Sequence, residues 1–128
     1  MQKYINEINR KYKNSFDIAF CLEVSEYWYN PYQALKNIKS FLKPGGILYL
    51  STHQIYPVHN PVEFDFTRYT KNGIIKLLEE TGFKIEQMIP RKVKGGEYLM
   101  QFYAINGMKY NKDTDHFESG YLIKAYGI

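Results

Sequence analysis

Two histidines, His53 and His59, and three charged residues, Glu63, Asp65 and Arg68, fall in one irregular stretch, residues 52–69, which also holds Pro57 and Pro61. A neutral imidazole titrates near neutrality and can take the proton of a hydroxyl or amine, so His59 is the candidate catalytic base; a solvent-facing loop histidine is the plainer reading. Asp65 and Arg68, three apart before a helical run, are expected to pair locally and staple the loop. His53, His59 and Glu63 have neither i, i+4 spacing nor a fourth ligand, so no metal site is expected. Upstream, Glu23 and Glu26 are spaced for acid–base work, and equally for a helix start or a loop.

The elements that must carry these residues are legible from local signals. Residues 16–22, Phe-Asp-Ile-Ala-Phe-Cys-Leu, form a nearly continuous apolar run, the pattern of a strand covered on both faces. Residues 23–29 follow as a loop at its carboxyl end, where open parallel sheets place their ligands. Asn30 caps a helix with Pro31 at its first position, and Leu35, Ile38 and Leu42 mark its inner face. Pro44, Gly45 and Gly46 stop that helix and turn the chain into a strand over residues 47–51. Two strands joined through a helix should lie parallel and adjacent.

Around this unit, Tyr4, Ile5, Ile8 and Tyr12 recur at helical spacing, closing near Asn14 and Ser15. Thr70 caps a helix running to Glu80 with Gly82 at its exit, followed by a strand over residues 83–89. After Gly95 and Gly96, residues Tyr98, Leu99, Phe102 and Ile105 fit a helical face, and alternation fits nearly as well. Residues 106–119 read as a loop, and residues 121–126 as a last strand, antiparallel to its neighbours.

Composition narrows the classes. A chain of 128 residues, 45% hydrophobic and 23% charged, suits one globular domain. No apolar run approaches the ~20 residues of a membrane-spanning helix, and the N-terminus lacks the apolar core of a signal peptide. The single cysteine, Cys21, allows no internal disulfide and agrees with a cytoplasmic address. The net charge of +4 is scattered along the chain, and with no RNA-binding signature a nucleic-acid partner is not expected.

Residues 16–26, then Asn30-Pro31, Leu35 and residues 42–48 (Leu-Lys-Pro-Gly-Gly-Ile-Leu) together resemble the second half of a class I S-adenosylmethionine-dependent methyltransferase of the small-molecule type. Residues 65–70 (Asp-Phe-Thr-Arg-Tyr-Thr), Leu77-Leu78-Glu79 and Thr81-Gly82-Phe83 resemble the family's loop and helix before its sixth strand. The resemblance implies an α/β fold: the C-terminal half of a Rossmann-like methyltransferase sheet, with parallel strands and an antiparallel last strand, residues 1–128 forming one partial domain. It implies S-adenosylmethionine as cofactor, with Cys21, Leu22, Glu23 and Tyr27 as its contacts and a small-molecule O or N acceptor. Tyr27 stands where relatives often have histidine, which removes an imidazole from that position, while His59 lies close to a His-Pro pattern of relatives.

The family grips its cofactor with a glycine-rich turn after the first strand and an acidic residue ending the second. Gly45-Gly46 lies before a strand, not after one, and Gly95-Gly96 lacks a third glycine and a downstream acid. The resemblance therefore implies weak or absent cofactor binding by this chain alone, with a catalytically silent, partner-binding subunit as the alternative to an enzyme. It also turns a central strand into an edge. The strand from Phe16 to Leu22 is expected to pair with a second copy or with a separate N-terminal half.

Overall fold

The structure is a computed structural model that describes residues 2–92, 96–109 and 118–128. Helix α1 (Gln2–Lys11) leads to strand β1 (Phe16–Cys21), and helix α2 (Pro31–Phe41) to strand β2 (Leu42–His53). Helix α3 (Lys71–Glu80) then precedes β3 (Phe83–Lys92), and helix α4 (Gly96–Ile105) precedes β4 (Glu118–Gly127). The sheet order is β1-β2-β4-β3. Strands β1 and β2 are parallel, and β4 lies between β2 and β3, antiparallel to both.

The local signals explain most element ends. Asn30 accepts from the Gln33 N–H at 3.1 Å and Pro31 opens the helix; Asn30→Ala should lower stability by about 1 kcal/mol in urea denaturation. Thr70 does the same for α3 through Gly73, and Gly82 leaves that helix at φ +89°. The α2–β2 joint departs from expectation. Leu42 is already extended and pairs with Phe16, so β2 begins five residues before Ile47. Gly45, at φ +75°, turns residues 43–46 out as a bulge, after which pairing resumes at Ile18 and Ile47. The glycines serve the strand's bulge and not the helix exit.

Strand β3 runs on through Pro90 to Lys92, past the expected end at Ile89. The segment after Gly96 is the helical alternative. Within the expected 106–119 loop, Glu118 and Ser119 belong to β4, while Gly95 and residues 110–117 lie outside the described residues.

Helices α2 and α3 cover one face of the sheet. Leu35, Ile74 and Leu78 meet Leu48, Leu50, Tyr121, Ile123 and Ala125 in a buried cluster. Strand β1 is not buried on both faces as its apolar run suggested. It is an outer strand, and Phe16, Ile18 and Phe20 are 45%, 45% and 67% exposed. A continuous apolar run reports that a strand is built to be covered, not what covers it. Here the described residues leave one side of β1 and one sheet face open, the latter as a groove lined by Phe20, Leu22, Tyr49, Ile89, Leu122 and Lys124.

Candidate functional site

The carboxyl ends of β1 and β2 lie side by side, since Cys21 pairs with Leu50, and the chain leaving each strand brings its polar residues together. Glu23 adopts a left-handed backbone, φ +54°, unusual for a residue with a side chain. That turn aims its N–H at Ser51 Oγ, 2.6 Å away, and the serine hydroxyl returns a bond to Glu23 Oε1 at 3.2 Å. Arg91 of β3 donates to the same oxygen at 2.7 Å, and His53 Nε2 lies 2.7 Å from Glu23 Oε2. Glu23 is thus the hub between three strand ends.

Residues Ser25–Tyr27 form a short 3-10 turn that folds Glu26 inward, 1% exposed. Ser25 Oγ donates to the Ser51 carbonyl at 2.9 Å, and the Tyr69 hydroxyl donates to the Ser25 carbonyl at 2.8 Å. The Glu26 carbonyl accepts from the Phe66 and Thr67 N–H groups at 2.9 and 3.1 Å. These bonds close the loop over the turn, so Glu26 lies beneath residues 54–69. Its Oε1 is 3.7 Å from His53 Nε2 and 3.4 Å from His59 Nε2, and its Oε2 has no hydrogen-bond partner. Burial pushes the Tyr69 phenol well above its ordinary range.

His59 is held from three sides. Its backbone N–H donates to Asp65 Oδ2 at 3.0 Å, and its ring Nδ1 lies 3.0 Å from the Tyr27 hydroxyl and 3.2 Å from the Asn60 carbonyl. The Tyr27 hydroxyl donates to that carbonyl at 3.1 Å, so its oxygen is free to accept from Nδ1–H, which leaves the lone pair on Nε2. Tyr56 stacks tilted on His53 at 4.3 Å and meets His59 edge-on at 5.5 Å.

Asp65 and Arg68 form the local pair expected of them: Arg68 donates through both terminal nitrogens, Nη2 to Oδ2 at 2.7 Å. The same guanidinium donates to the Tyr56 and Pro57 carbonyls, 3.3 and 3.1 Å away, and so ties the start of the loop to its end. The Arg68 hydrogen bond, first among several causes, holds the Asp65 carboxyl far below the usual carboxylate range.

The structure brings His53, His59, Glu23, Glu26 and Tyr27 to one place. Glu63 is exposed in the Val62–Phe64 turn, outside the cluster. Cys21 is half-buried against the core, where burial raises its thiol pKa, and Leu22 is 50% exposed beside the groove. Ser51 and Arg91 were missed by the sequence reading. Ser51 had a signal, following Leu50 at the end of a strand parallel to β1; Arg91 had none short of the β3–β4 register.

The sequence model of the family described as Methyltransferase domain matches residues 3–50. A ubiquinone biosynthesis O-methyltransferase of Marinobacter nauticus is 26% identical over 125 residues, 93% of this chain and 50% of that protein. One of Saccharophagus degradans is 25% identical over 116 residues, 88% of this chain and 47% of that protein. The chain therefore spans about half the length of these curated relatives. Among solved structures, a putative methyltransferase from Bacillus halodurans superposes with a TM-score of 0.61 at 17% identity, over 89% of this chain and 65% of that one.

Proposed function

From the class I methyltransferase fold that this chain carries, we propose that it forms the acceptor side of an S-adenosylmethionine-dependent methyltransferase site acting on a small O or N acceptor. The observation that carries the reading is the convergence of Glu23, Glu26, His53, His59 and Tyr27 at the carboxyl ends of β1 and β2, beneath a stapled loop. Bound there, S-adenosylmethionine would supply an electrophilic methyl group on a sulfonium. Cys21, Leu22, Glu23 and Tyr27 are the residues set to meet it. A half-exposed leucine beside a carboxylate hub suits a cationic thioether, whereas the described strand ends offer no glycine turn for the cofactor's distant parts.

Each side chain then has a task. The loop of residues 54–69 excludes water above the acceptor, and Tyr27 and Asn60 fix the His59 ring so that Nε2 is the open nitrogen. An acceptor hydroxyl can pass its proton to that nitrogen. Arg68 and Asp65 hold the loop in register with the site. The cytoplasm, suggested by the lone cysteine, is part of the same reading.

The alternative is a catalytically silent subunit that supports a partner, and the apolar outer strand β1 favours it. Fusing this chain to the part of the Marinobacter nauticus relative that it does not match separates the two. A fusion that folds, by circular dichroism, and binds S-adenosylhomocysteine at micromolar concentration supports the methyltransferase site. A folded fusion that binds none leaves the silent subunit.

A further inference from the structure

We propose that Glu26, His53 and His59 form a binding site for a divalent transition-metal ion of the zinc class. One donor atom from each lies within 4.8 Å of the other two. An ion held tetrahedrally at about 2.0–2.1 Å needs donors roughly 3.3 Å apart. Glu26 Oε1 is already 3.4 Å from His59 Nε2 and 3.7 Å from His53 Nε2, and drawing the two imidazoles, now within 4.8 Å, toward each other would complete the seat.

Two observations of different kind point to a cation. The Glu26 carboxylate is buried and its Oε2 has no hydrogen-bond partner, so only the two imidazoles facing Oε1 offset the cost of burying it. His59 Nδ1 is turned to the Tyr27 hydroxyl and the Asn60 carbonyl, which puts its proton there and aims the Nε2 lone pair at a carboxylate oxygen. A cation between these two electron-rich atoms would satisfy both, as a proton on Nε2 would in its absence. An imidazole whose other nitrogen donates to an oxygen is how metal-ligating histidines are oriented, and His59 has that arrangement, whereas His53 Nδ1 is buried without a hydrogen-bond partner among the described residues. Arg91 and Ser51 hold Glu23 Oε1, while its Oε2 lies 2.7 Å from His53 Nε2, so an ion on His53 would displace that contact and could take Glu23 Oε2 or a water as its fourth ligand.

With an ion in place, His59 Nε2 is a ligand and no longer takes a proton; the ion acidifies the oxygen bound to it. The site deepens the acceptor-side reading, yet its test needs neither cofactor nor acceptor, so either can fail alone. The full chain, stripped with chelator, is titrated with Co²⁺ and followed by visible absorption, then competed with Zn²⁺. The expected result is one equivalent bound with the intense bands of a four-coordinate ion, 10–100-fold weaker binding in Tyr27→Phe, and loss of the bands in His59→Gln with an unchanged circular dichroism spectrum. Absence of saturable uptake, or full affinity in both His59→Gln and His53→Gln, would overturn it.

Discussion

Replacing Arg68 by alanine is expected to lower stability by about 2–3 kcal/mol at neutral pH, read from the urea midpoint at constant slope. Arg68 supplies two hydrogen bonds to Asp65, whose side chain is fully covered, and two to carbonyls at the far end of the loop. Without it the carboxylate is left covered and under-compensated, keeping only the His59 N–H. The pH dependence follows from the direction of the Asp65 shift. Its folded pKa lies well below the unfolded value of about 3.9, so the pair contributes fully above that value and fades as pH falls further. The gap between parent and Arg68→Ala should therefore be widest at neutral pH and narrow below pH ~4. A gap that stays constant down to acid pH would mean that Arg68 acts through the two carbonyls alone.

The second large effect is expected at β1. Ile18 and Phe20 stand on an outer strand with roughly half or more of their surface in water, next to an apolar groove. Burying what remains exposed of them against another chain is worth about 1–2 kcal/mol each, so Ile18→Lys with Phe20→Lys should weaken self-association by about 10–300-fold. Light scattering at micromolar concentration is expected to give a mass above 15.2 kDa for the parent chain and that of the single chain for the double variant. A parent chain that scatters as a monomer would remove the self-pairing reading.

What the sequence disclosed depended on how local the physics was. Asn30 with Pro31, Thr70 with Gly82 and the Asp65–Arg68 pair were readable because each acts within four residues of itself. The parallel β1–β2 unit was readable because a helical period stood between two apolar runs, although the glycines expected to stop the helix lie in a bulge of β2. Burial of β1 was misread because the same run suits a strand covered by helices and one awaiting a neighbouring strand. The site was half readable. His53 and His59 share a loop with Glu63, which made Glu63 the natural third member; the residue that joins them is Glu26, carried in from the end of another strand. That substitution depends on the register of β1 against β2, which no short-range pattern encodes. Arg91 reaches Glu23 across 68 residues for the same reason.

Calorimetric titration of S-adenosylhomocysteine into this 128-residue chain by itself tests the account most directly. On the proposed reading the chain supplies the acceptor loop and one wall of the cofactor's cleft, so binding is expected to be millimolar or undetectable. Saturable micromolar binding by the unassisted chain would contradict it.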